Sequence, residues 1–140
     1  MIMNGDQKRK YDLEERLISF AVLIIKTSES LPKTLTGVHL AKQLIRSGTS
    51  PALNYGEAQS GESRKDFIHK MKIALKELRE TQMCIKVIHH AGLIKSNSDA
   101  TKTLQENIEL ISIFVKSIQT AQKNLDRMKL DIHKRTNRNM

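Results

Sequence analysis

Residues 63–92 read SRKDFIHKMKIALKELRETQMCIKVIHHAG. Within them Phe67, Met71, Ala74, Leu78, Thr81, Ile85 and Ile88 recur at alternating steps of four and three. That alternation keeps one face of an α-helix turned toward a partner over many turns, with Thr81 as the seam's single polar member. Ser63, with Asp66 at the third helical position, marks the start: a serine oxygen accepts from an N–H left free in the first turn. Gly92 marks the stop, because glycine adopts the left-handed conformation that closes a helix.

Working outward, the same arithmetic finds three more helices. Upstream, Leu13, Leu17, Phe20 and Ile24 share one face of a first segment, with Asp12 and Glu15 resembling a capping box. Pro32 ends it, since the residue before a proline disfavours the α region. After a linker at Leu31 to Thr36, a second segment reaches Gln59 with Val38, Ala41, Leu44 and Ile45 as its apolar face. Pro51 lies inside it and predicts a kink. The hydroxyls of Ser47, Thr49 and Ser50 are expected to satisfy the backbone groups that Pro51 frees. Downstream, a fourth segment starts near Ser98 or Asp99. Leu104, Ile108, Ile111, Val115, Ile118, Gln122 and Leu125 form its seam.

Long helices joined by short connections run antiparallel. The expected fold is therefore all-α, an up-down-up-down four-helix bundle. The divisions are a basic N-terminal arm at 1–11, the bundle at 12–126, and a basic tail at 127–140 expected to fray. Composition agrees: 140 residues suit one core, and 4% aromatics without tryptophan argue against sandwiches and barrels. The single cysteine, Cys84, excludes an internal disulfide and any Cys-based zinc site. The longest apolar run, Leu17 to Ile25, is too short to span a bilayer. No secretory leader is recognisable, so a cytoplasmic protein without membrane contact is expected.

The formal charge is +9, an excess that suits an anionic partner. Much of it is sorted onto the third helix. Lys65, Lys72, Lys76, Arg79 and Lys86 are separated by seven, four, three and seven positions and share one stripe. Such a stripe can track a nucleic-acid backbone, although Lys-rich helix faces also serve as plain solvated surfaces. Lys8, Arg9 and Lys10 at one end, and Lys134, Arg135 and Arg138 at the other, add basic arms. No aromatics interleave with these bases, so phosphate and shape recognition of RNA or DNA is expected rather than base stacking.

Catalytic and metal chemistry find little support. Asp66 and His69 have a metal-ligand spacing that occurs only once, and the adjacent His89 and His90 diverge on a helix. Cys84 has no base at helical spacing and reads as a small buried hydrophobe. No catalytic residue, metal or cofactor is assigned. The second helix is nearly uncharged, so Arg46 and Glu57 need partners. A structural polar network of Arg46, Asn54, Glu57 and Glu80 is expected, with Arg46 paired to Glu77, Glu80 or Glu57. Finally, Leu110, Ile113 and Phe114 form a second apolar row on the fourth helix. One seam suffices for a monomer, so this row is expected to be an oligomer interface.

Residues 43–58, QLIRSGTSPALNYGEA, followed by 63–81, SRKDFIHKMKIALKELRET, resemble the signature of the small four helix bundle protein family. Its founding members are encoded in intervening sequences of bacterial 23S ribosomal RNA genes. The accessory variability determinant of diversity-generating retroelements is similar to them. The resemblance covers Tyr11 to Asn124. Asn54 to Ala58 reads NYGEA where the commoner form is NIAEG, which marks a subgroup. The resemblance implies a homopentamer with a basic, barrel-like surface and, in the retroelement branch, nucleic acid and a reverse transcriptase as partners. The matching positions Arg46, Ser47, Ser50, Asn54, Glu57, Asp66, Phe67 and Glu80 look structural. The alternative is a protein-interaction scaffold that binds no nucleic acid.

Overall fold

The Ser63 hydroxyl accepts from the Asp66 N–H at 3.1 Å, and the helix it caps, α3, runs Arg64–His90. Its end is a Schellman turn: Gly92 N–H donates to His89 O and Leu93 N–H to Ile88 O, with Gly92 at φ +69°. Three further helices surround it in this computed structural model: α1 Gly5–Glu29, α2 Leu35–Gln59 and α4 Asn97–Arg138. Residues 2–94 and 97–140 are described, without the side chains of 6, 7, 9–11, 97 and 98. The side chains of Arg9 and Lys10, and a cap at Ser98, lie outside the described residues.

Cross-helix pairs fix the directions. On α2 and α3, Leu40 meets Cys84, Ser47 meets Thr81 and Glu57 meets Lys70, so numbers rise on one helix as they fall on the other. On α1 and α4, Thr27 meets Thr103 while Arg16 meets Glu106 and Glu109. Both pairs are therefore antiparallel. Each helix packs against its sequence neighbour, and α1 and α4 close the ring through the thinnest of the four seams. Across the diagonal, Tyr55 of α2 stands edge-on to Phe114 of α4, with ring centroids 6.3 Å apart.

The core contains the α1 residues Leu17, Phe20 and Ile24 and the α3 seam from Met71 to Ile88, as the spacing predicts. Each such side chain, fully buried, contributes about 1.5–3 kcal/mol relative to exposure. Gly48 lets α1 and α2 approach closely. A Cβ there would lie 2.6 Å from a side-chain carbon of Ile24.

Four expectations change. First, α1 begins at Gly5, so Asp12 and Glu15 lie within the helix and cap nothing, and Lys8 belongs to α1 rather than to an arm. Second, α4 continues to Arg138. At 42 residues it is about 63 Å long, against about 40 Å for the others, so its end overhangs the bundle. Third, α2 buries Gly37, Leu44, Ser47, Gly48, Pro51, Tyr55 and Ala58, while Val38 and Ile45 stay exposed. Small residues let α2 sit deeply between its neighbours, which turns Val38 and Ile45 outward.

Fourth, Leu110 and Phe114 are 0% exposed and belong to the core of the single chain, and Ile113 borders a cleft. These three residues do not form a free apolar face for an oligomer. The row actually buried on α4 is Ala100, Thr103, Asn107, Leu110, Phe114, Ile118 and Leu125. Ile108 is 39% exposed, and Leu104, Ile111 and Val115 are half-buried on the flank toward α3.

Candidate nucleic-acid interface

The heptad seam that turns Met71, Leu78 and Ile85 inward turns Lys65, Lys72, Lys76, Arg79 and Lys86 outward. All five are exposed, and none forms an ion pair among the described residues. From Lys65 to Lys86 the stripe covers 22 residues of helix, a rise of about 31 Å. Met83 and Val87, both at least half exposed, interrupt it near the C-terminal end. Its geometry suits phosphate groups placed at intervals along a backbone.

Beside the stripe, α2 and α3 are locked by polar contacts. Arg46 bonds Glu77 at 3.1 Å and also pairs with Glu80. The Arg46 side chain is 51% exposed, so this is a surface cluster rather than a buried one. Burial and the neighbouring Glu80 push the Glu77 carboxyl above its ordinary range, while Arg46 pulls it back. The other expected members go elsewhere: Glu57 pairs with Lys70, and Asn54 donates to Ser50 at 2.8 Å within α2. Beneath them, Thr81 donates to Ser47 Oγ at 2.9 Å. That bond gives the one polar seam residue a buried partner. Thr49 donates to Ile45 O, one turn before Pro51. Cys84 is half-buried, and burial together with Glu80 pushes its thiol up, away from thiolate reactivity.

Two features escape the sequence reading. Arg16 binds Glu106 and Glu109, each at 2.9 Å, and ties α1 to α4. An acidic pair three residues apart on α4 was its only signal. Asn107 is fully buried; it donates to Leu78 O at 3.0 Å, and its own Oδ1 has no partner. Where the α1–α4 seam is thin, a cleft of about 780 Å³ opens among Leu13, Arg16, Tyr55, Phe67, Ile113 and Lys116. Asp12, Ser117 and Thr120 also line it, and no group of metal ligands occurs among the described residues.

Four helices packed as a bundle, with no strand among the described residues, define the class. The model of the 23S rRNA-intervening sequence proteins matches residues 9–117, and the chain belongs to that family. A solved structure from Bacteroides thetaiotaomicron, a protein of unknown function from the S23 ribosomal protein family, is 28% identical with a TM-score of 0.72. The likeness covers 79% of this chain and 97% of that one. No protein of curated function matches. No helix among the described residues is long and apolar enough to cross a membrane.

Proposed function

We propose that the protein is a non-enzymatic, self-associating bundle that binds RNA or DNA through phosphate contacts. One observation carries this reading: five exposed bases, none in an ion pair among the described residues, lie on a single straight rail of α3. Five phosphates neutralised give a salt slope of about −4.5, so affinity falls about 500-fold between about 50 and 200 mM salt. A mobility-shift series across that range tests it. Absence of binding at the low end refutes it.

Self-association rests on exposed apolar rows. Ile18, Val22 and Ile25 form one on α1, with Val38 and Ile45 exposed on α2; the half-buried α4 flank around Ile108 is another. The family resemblance supports a ring of five, which would carry five times the +9 of one chain, about +45. Sedimentation reads the mass directly. The resemblance to the retroelement branch extends the proposal to a role as accessory factor of a reverse transcriptase. The exposed apolar row of α1 favours a second reading, a protein-interaction scaffold. Co-purification separates the two: nucleic acid supports the first, a defined polypeptide the second.

A further inference from the structure

The overhang of α4 carries a second basic row. Lys116, Lys123, Arg127, Lys134 and Arg138 are separated by seven, four, seven and four positions. At about 100° per residue they fall within about 60° of arc. The row is therefore as straight as the one on α3, and spans about 33 Å. All five bases are exposed and none is in an ion pair among the described residues. The row faces the α1 side of α4, as Lys116 does at the mouth of the α1–α4 cleft. It lies on a different face of the bundle from the α3 rail.

Its surroundings distinguish it. From Asp126 onward every residue is exposed, so among the described residues the last turns of α4 form a lone helix with no neighbour to obstruct approach. Lys129 and Arg135 place further bases on its other sides. From Lys116 to Met140 there are seven Lys and Arg against two Asp, and no aromatic residue. Of those acids, Asp126 accepts from Gln122 and, three residues from Lys123, borders one edge of the row, while Asp131, four residues from Arg127, borders the other.

A single helix with its side chains is about 10–12 Å across, and the major groove of B-form DNA is about 12 Å wide. The major groove of A-form RNA is too narrow to admit it. We infer that the α4 overhang is a duplex-DNA site: it enters the major groove with bases on both flanks meeting phosphates of both strands. Lys116 and Lys123 continue the backbone contacts toward the bundle. Met128 and Ile132, both exposed and about 40° apart on the helix, offer apolar contact to base edges, while Leu130 lies on the opposite side. This inference rests on the nucleic-acid reading above and narrows it to B-form duplex on α4.

The test uses the full chain and three probes: a DNA duplex and an RNA duplex of about two helical turns, and a single strand of equal length. Wild type is compared with a variant carrying glutamine at the five α4 positions, another with glutamine at the five α3 positions, and a third limited to R127Q/K134Q/R138Q. Anisotropy is read from about 50 to 200 mM salt, with helix content checked by circular dichroism. DNA duplex is expected to bind tightest. The five α4 changes are expected to lower the DNA salt slope by about 4.5, and the three overhang changes by about 2.7. A wild-type protein that binds none of the probes at low salt overturns the nucleic-acid reading itself. Wild-type binding with an unchanged slope in both α4 variants overturns the α4 site alone, as does equal preference for the RNA duplex or the single strand.

Discussion

Replacing Gly48 by alanine tests how the bundle sets the spacing of α1 and α2. A Cβ at Gly48 would lie 2.6, 2.7 and 2.9 Å from three side-chain carbons of Ile24. Ile24 is 0% exposed and has nowhere to retreat. Overpacking of this kind costs about 1–3 kcal/mol, while alanine in a helix interior returns about 1 kcal/mol over glycine. Gly56, in the same helix, has nothing within 4 Å of the equivalent position, so G56A gains the helix term without the clash. Comparing the two variants cancels the propensity. G48A is expected to be less stable than G56A by about 2 kcal/mol in urea unfolding, with unchanged denaturant slope. A double-mutant cycle sharpens the test. I24A alone costs about 2–5 kcal/mol, but with G48A the new methyl fills part of the cavity, so the pair costs less than the sum by about 1 kcal/mol or more. Equal stabilities for G48A and G56A, with strict additivity in the cycle, would refute this account of the α1–α2 contact.

Three further outcomes follow from the same geometry. Tyr55 is pushed up to about 12 by burial and by Glu14, above the ordinary phenol near 10. Its folded value is the higher one, so its contribution is complete below about pH 10 and is lost as pH rises toward 12; Y55F should remove that part of the alkaline loss, read by thermal unfolding against pH. R46M leaves Glu77 and Glu80 facing each other and raises Glu77 further. The variant should therefore fall behind wild type by about 1 kcal/mol or less at pH 7, because Arg46 is half exposed, and by less once Glu77 is protonated at acid pH; an equal loss at both pH values counts against the pairing. Ending the chain at Asp126 removes only exposed residues and should change unfolding stability by less than about 0.5 kcal/mol; a large loss would show the overhang packing on the bundle.

The α3 helix was legible to its ends because a single apolar row and both caps agree. The α4 helix was not, for a physical reason. It carries two adjacent apolar rows, and the one facing the core includes Thr103 and Asn107, whose side chains read as polar. Periodicity alone favours the unbroken row, which is the half-exposed one. Thr103 and Asn107 are buried because each finds a hydrogen bond inside: Thr103 to Asp99 O and Asn107 to Leu78 O. On α2 the burial of glycine, serine and proline reverses the usual weighting in the same way. The α3 basic stripe was readable because its helix was recognised whole. The α4 row was broken at Arg127 by the expectation of a frayed tail. The Arg16 cluster required knowing that α1 and α4 adjoin, which no local pattern conveys.

The unequal seams bear on how the chain reaches this state. The three broader seams each join helices consecutive in sequence, and only the thin α1–α4 closure links distant parts of the chain. The molecule is thus a file of helical hairpins with short loops, the low-contact-order topology whose small representatives fold in about microseconds to milliseconds. The α1–α4 closure is accordingly expected to open at the lowest free energy, widening the cleft while the other seams hold, and native-state hydrogen exchange would read that as weaker protection along this seam.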